Sequence, residues 1–108
     1  MYATTKSANE AMARCYASAF GGKFAEFEFM AGTTANSVST GLTETFGSQQ
    51  FGGKAFEEMK EYWIPRQAIP RLASPEDVAD VVGLLCSREA RWITGSKVSA
   101  NGGSIAVL

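Results

Sequence analysis

Two short stretches of this chain, residues 33–39 and 96–100, have the composition of strands, and helical sequence fills the space between them. Strands joined through helices pair in parallel, because a tight hairpin turn is not available to them. The expected fold class is therefore α/β, with a small parallel sheet and helices on its faces. Two parallel strands do not make a sheet that stands alone. Parallel sheets are covered on both faces and have further neighbours, and both open edges would offer unpaired N–H and C=O groups. The pattern is that of part of a fold, with little stability of its own: apolar helix faces stay uncovered, and only a few kcal/mol separate folded from unfolded even in whole domains.

The helices are readable from spacing and punctuation. Residues 2–20 form a helical pattern with Ala8, Met12, Cys15 and Ala19 on one face, and Gly21-Gly22 ends it. Residues 54–63 place Phe56, Met59 and Trp63 on one face, and Pro65 stops the helix. The clearest element covers residues 75–87. Ser74 stands at the cap, Pro75 at the first turn, and Glu76 and Asp77 at the positive helix end. Asp77 also occupies the acid position of a capping box. Val78, Val81, Val82 and Leu85 then form a stripe at helical spacing. The segment KFAEFEFMAG reads as a short strand or a collapsed loop, and GLTETFGSQQFGG as loop throughout.

Composition excludes several classes of function. The chain has 108 residues, enough for one domain, and a net charge of −1, which gives no footprint for nucleic acid or an anionic membrane. It has no histidine, which removes a histidine-based triad and argues against a zinc site. Cys15 and Cys86 each sit in an apolar stretch and read as buried free thiols in a reducing compartment. No apolar run is long enough for a membrane span, and the N-terminus lacks a signal peptide's pattern. The expectation is a cytoplasmic protein.

The chemistry is concentrated at the start, MYATTK. Tyr2 and Lys6 are four apart and share a helix face. An ammonium near a phenol favours the phenolate and pulls the tyrosine pKa down toward neutrality. Such a tyrosine exchanges a proton with a carbonyl or alcohol oxygen. The same pair also occurs on solvated helix faces with no chemistry attached. The rest of the chain decides the reading. YATTK resembles the Y-x-x-x-K motif of the short-chain dehydrogenase/reductase family. NSVSTGLTET is similar to its N-x-V-x-P-G-x-x-x-T segment, RLASPEDVADVVGLLCS to its R-x-x-x-P-E-D-[VI]-A-x-x-V-x-x-L segment, and WITGSKVSANGG to its closing [WY]-I-T-G and G-G. The four motifs follow one another in family order along nearly the whole chain.

The resemblance implies a partial Rossmann-like, doubly wound fold, limited to the last two strands and their helices. Residues 1–108 would be the C-terminal segment of a single such domain, with the nucleotide-binding half absent. It implies an NAD or NADP cofactor and a small carbonyl or alcohol substrate. Tyr2 would be the catalytic acid/base. Lys6 would lower its pKa and bind the nicotinamide ribose. Gly41 and Leu42 would bring backbone groups to the nicotinamide carboxamide, and Thr45 would contact the carboxamide or pyrophosphate. Phe46, Phe51, Phe56, Met59 and Trp63 would either line an apolar substrate pocket or simply pack. Arg71, Glu76 and Asp77 read as structural. One departure is visible: Thr40 stands where the family has proline, which loosens that turn. The family's glycine-rich phosphate loop, its substrate-positioning serine and its relay asparagine have no counterpart in this sequence. The isolated chain is therefore expected to be inactive. The alternative is a non-catalytic truncated product or interaction piece that docks on full-length relatives through Ala8, Met12, Cys15 and Ala19.

Overall fold

The computed structural model describes residues 2–21 and 28–104, with Tyr2, Glu28 and Phe51 described by their backbone alone. The elements in chain order are α1 (Tyr2–Gly21), β1 (Ser37–Thr40), α2 (Phe46–Phe51), α3 (Gly53–Trp63), α4 (Pro75–Leu85) and β2 (Lys97–Ala100). Short 3-10 turns occupy Glu28–Met30, Ile64–Arg66 and Arg88–Ala90. β1 and β2 pair in a two-stranded sheet. The Ser37 N–H donates to the Ser96 carbonyl at 2.9 Å and the Gly41 N–H to the Ala100 carbonyl at 3.3 Å. Both strands advance together between these two bonds, so the pairing is parallel, as expected from the helices between them.

The strands are shorter than expected. β1 covers only the end of the 33–39 stretch and extends one residue beyond it. The reason lies in residues 35–36, where one backbone bond, from the Gly95 N–H to the Ala35 carbonyl at 2.7 Å, is joined by side-chain bonds in place of a regular ladder. The Ala35 N–H donates to Thr94 Oγ1 at 3.2 Å. Asn36 Nδ2 donates to the Ile93 carbonyl at 2.8 Å, and Asn36 Oδ1 accepts the Ser96 N–H at 3.1 Å. The stretch 41–53, expected to be loop throughout, contains α2 and the start of α3. Thr45 caps α2: its hydroxyl accepts the Ser48 N–H at 3.1 Å, and Ser48 Oγ accepts the Thr45 N–H at 2.8 Å. This reciprocal box compensates for the glycines that made the stretch read as a loop. Of the segment KFAEFEFMAG, residues 23–27 lie outside the described residues and the part from Glu28 begins as a 3-10 turn.

The chain groups into two compact units: Met1–Val38 with Leu84–Val98, and Ser39–Gly83 with Ser99–Leu108. In the first, α1 packs a different face from the one its apolar residues mark. Ala17 is buried and Glu10, Ala13, Phe20 and Gly21 are half-buried, whereas Ala8, Met12, Cys15 and Ala19 are exposed. Small residues decide this. A Cβ on Gly21 would meet the Thr33 carbonyl at 3.1 Å, and one on Gly95 would sit 3.5 Å from the Ala17 Cβ. Close backbone approach, not the Met12 stripe, sets the packed face. Glu10 anchors the same side through an ion pair with Lys97 at 3.0 Å. Cys15 and Cys86 are free and exposed, not buried as their apolar surroundings implied.

In the second unit Phe56 is the buried apolar residue of α3, with the Lys60 ammonium 5.4 Å from its ring centroid. Gln67, Asn101 and Ser104 are buried and polar. Asn101 satisfies itself locally, donating from Nδ2 to the Ser104 carbonyl at 3.1 Å and accepting the Gly103 N–H at 3.0 Å. Gly103 has φ +76° and no room for a side chain: a Cβ there would lie 2.6 Å from the Ala68 Cβ. The glycine pair after β2 is thus a geometric requirement of this turn.

Candidate cofactor-contact turn and proton-transfer helix

The residues singled out in the sequence fall into two groups, one in each unit. Tyr2 and Lys6 lie on α1 in the first. The helical backbone places them four apart on one face. Lys6 is exposed; the Tyr2 side chain lies outside the described residues. Gly41, Leu42 and Thr45 are brought together in the second unit, in the turn that leaves β1 and enters α2.

That turn is held on two sides. Gly41 approaches the segment after β2 so closely that a Cβ would meet the Asn101 carbonyl oxygen at 3.0 Å and its Cα at 3.1 Å. A side chain there would require the Asn101 backbone to give by a few tenths of an ångström. Beyond it, Thr43 and Ala73 form a parallel bridge. The Ala73 N–H donates to the Leu42 carbonyl at 3.0 Å, and the Glu44 N–H donates to the Ala73 carbonyl at 2.8 Å. Thr43 Oγ1 folds back to donate to the Gly41 carbonyl at 3.1 Å. The turn therefore has a hydrogen-bonded brace of its own, next to Thr40. Thr45 contributes its hydroxyl oxygen as an acceptor to the cap of α2, which leaves the hydroxyl proton free to be donated.

Ala73 is itself fixed by the start of α4. Asp77 accepts the Ser74 N–H at 2.7 Å and the Ser74 hydroxyl at 3.1 Å, and the Asp77 N–H donates to Ser74 Oγ at 3.3 Å. The capping box expected from S-P-E-D is present. Arg71 then grips both carboxylate oxygens of Asp77, at 2.7 and 2.8 Å. Hydrogen bonding from Arg71, then from the Ser74 backbone, holds the Asp77 carboxyl far below the usual carboxylate range. The same contact raises Arg71. Before Arg71, Gln67 donates from Nε2 to the carbonyls of Ile69 and Arg71, and the Ile69 N–H reaches the Gly102 carbonyl at 2.9 Å.

Sequence reasoning did not find Thr43, Asn36 or Gln67 as holding residues. Asn36 acts on backbone atoms of Ile93 and Ser96 that tertiary structure brings near, whereas Thr43 and Gln67 hold carbonyls two to four residues away within their own turns. For Phe46, Phe51, Phe56, Met59 and Trp63 the sequence left a pocket and simple packing open, and among the described residues Phe56 packs. A cavity of about 410 Å³ in the second unit is lined by Gln67, Arg71, Asp77, Ser99, Asn101 and Gly102 among others, and by none of the five. Phe46 is 76% exposed, Met59 is exposed and Trp63 half-buried. The Phe51 side chain is outside the described residues.

The close approach at Gly41 is to the Asn101 backbone and leaves no space for a ligand on that side. The α4 N-terminus is already filled by Asp77, whose charge would repel a phosphate. Among the described residues no His/Cys/Asp/Glu group could hold a metal ion.

Residues 1–104 match the family model described as enoyl-(acyl carrier protein) reductase. The chain belongs to the short-chain dehydrogenase/reductase family. Short-chain dehydrogenase/reductase FrzI of Cladobotryum sp is 33% identical over 111 residues, covering 99% of this chain and 40% of the relative. Short chain dehydrogenase asqE of Emericella nidulans is 37% identical over 109 residues, covering 99% of this chain and 37% of the relative. Among solved structures, a 4-hydroxyisoleucine dehydrogenase mutant complexed with NADH and succinate superposes with a TM-score of 0.73 at 28% identity, covering 97% of this chain and 39% of that one. The angucycline C-6 ketoreductase LanV with bound NADP superposes at 0.72 with 32% identity, over 94% of this chain and 35% of that one. The architecture is thus a part of the family's Rossmann-like fold. The chain spans about two fifths of the length of these relatives.

Proposed function

We propose that this chain is the C-terminal segment of an NAD- or NADP-dependent oxidoreductase that interconverts a carbonyl and an alcohol. The observation that carries the reading is the family match over residues 1–104, which takes in Tyr2, Lys6 and the turn 41–45 together. A nicotinamide, when bound, supplies or accepts the hydride. The residues of this chain handle the proton. In the reducing direction the Tyr2 hydroxyl gives its proton to the substrate oxygen, and the Lys6 ammonium one helical turn away stabilises the phenolate that remains. Lys6 also binds the nicotinamide ribose. Of the backbone groups at Gly41 and Leu42, the Leu42 N–H is the donor that the brace leaves for the carboxamide, and Thr45 has its hydroxyl proton to donate there. Exposed, unpaired Cys15 and Cys86 fit a reducing, cytoplasmic setting.

Positioning supplies much of the rate in such a site, and the phosphate cradle is not among the described residues. The chain by itself is therefore expected to be inactive. The test compares it with a version carrying a family nucleotide-binding half fused before Tyr2, using a panel of ketones and both cofactors. The fused protein should turn over and lose activity with Tyr2→Phe. Turnover by the chain of 108 residues alone would overturn the inactivity. Full activity of Tyr2→Phe in the fused protein would overturn the proton-transfer role.

One observation favours a second reading, an interaction piece. The α1 face bearing Ala8, Met12, Cys15 and Ala19 is exposed, with Met12 at 48%. Docking on a full-length relative would cover it. Native mass spectrometry of a mixture should then show a mixed species that Met12→Asp abolishes; homo-oligomers alone would exclude this reading.

A further inference from the structure

We infer that the Arg71–Asp77 pair is a positioning element for the turn 41–45, acting through Ala73. The bearing of this on catalysis rests on the reading above, whereas the holding itself does not. The chain of contacts is short and closed. Asp77 takes both guanidinium nitrogens of Arg71 at 2.7 and 2.8 Å and the N–H of Ser74 at 2.7 Å. Residue 73 sits between these two anchored positions. Its N–H and carbonyl are the two groups that grip Leu42 and Glu44, at 3.0 and 2.8 Å. On the other side, the Gly41 N–H is bonded to Ala100 and the Ile69 N–H to Gly102. Gln67 ties Ile69 back to Arg71. The ring thus runs from the end of β2 through residues 67–73 to the turn and back to β2.

A surface ion pair is normally worth little to stability. Here it has a geometric task that a monodentate or neutral substitute does not perform. A planar fork on a carboxylate fixes direction as well as distance. Direction is what the 71–74 segment needs, because Ala73 must present both of its backbone groups to one turn. Thr40 does not fix φ as a proline ring would, so the external brace carries more of the constraint.

Residue-resolved amide hydrogen exchange on the full chain tests this, comparing wild type with Asp77→Asn, Arg71→Met and Arg71→Lys. The expected result is exchange about tenfold faster at Glu44 and Ala73 in the first two variants, the size of one charge-assisted hydrogen bond. Val81 and Val82 in the middle of α4 should keep the wild-type rate. Arg71→Lys, which keeps the charge but not the fork, should recover only part. Unchanged exchange at Glu44 and Ala73 would overturn the inference. So would equal acceleration at Val81 and Val82, which marks general loosening, full recovery by Arg71→Lys, or wild-type amides already exchanging as an open chain. Asp77→Asn is isosteric and keeps an acceptor for Ser74, so it decides the matter if Arg71→Met does not fold. Adding NADH to the fused protein described above separates the two readings: amide shifts at 41–45 that ignore NADH there count against the cofactor reading and leave the brace standing.

Discussion

Replacing Gly103 with alanine would put a methyl group where Ala68 already stands, 2.6 Å away, on a backbone with φ +76°. Left-handed backbone costs a non-glycine residue about 1–3 kcal/mol. A urea titration of Gly103→Ala should show at least that loss, whereas Gly47→Ala, with only Thr45 Oγ1 near at 3.8 Å, should be close to neutral or better. Asp77 gives a prediction in pH. Its folded-state pKa is depressed by Arg71 and Ser74, so the unfolded chain holds the proton more tightly. Its stabilisation is complete above the ordinary carboxylate value of about 3.9 and is lost as pH falls through the lower folded value. Acid titration followed by circular dichroism should therefore find Asp77→Asn less pH-dependent than wild type below that value. Ser74 and Asp77 were legible in the sequence because a capping box is local: two residues three positions apart carry both halves of it. Asn36 was not, because it serves a carbonyl and an amide 57 and 60 residues away, brought near by the sheet; Thr43 and Gln67 act only two to four residues along the chain, in turns that have no repeating signature.

At the scale of elements, α3, α4 and the two strands were legible, with ends shifted by a few residues. Punctuation made them so: Pro65 and Pro75, the Ser74 cap and the glycines after β2. The packed face of α1 was not. Apolar bulk pointed to Met12 and Cys15, whereas the structure uses Ala13, Ala17 and Gly21, since close approach rewards small size over hydrophobicity. The Glu10–Lys97 pair marks that face, with its side chains 30% and 36% exposed. A double-mutant cycle with Glu10→Gln and Lys97→Met should give a coupling of about 0.2–1 kcal/mol. It should shrink with added salt. A value indistinguishable from zero at low salt would mean that the pair does not fix α1 on that face. α2 escaped the sequence reading because its cap, T-x-x-S, is an unusual box and glycines surround it.

For the whole molecule, the family and the partial nature of the fold were legible, because four motifs keep their order over nearly the full length. The packing was not, since burial depends on neighbours that a sequence does not display. Among the described residues only Ala17, Phe56 and Ala90 are buried and apolar, and no large side chain is fully buried. α4 contributes none at all. Calorimetry on the isolated chain should accordingly record a broad transition of low enthalpy instead of the sharp one a small domain gives. A single narrow peak at all concentrations would contradict it. Trp92 adds a practical corollary. Its indole is 95% exposed. Its emission is that of an indole in water, at the long-wavelength end of the tryptophan range, whether the chain is folded or not. A molecule that settles against the Arg88–Ala90 turn and shields the ring from water will therefore announce itself as a blue shift, with no dye attached.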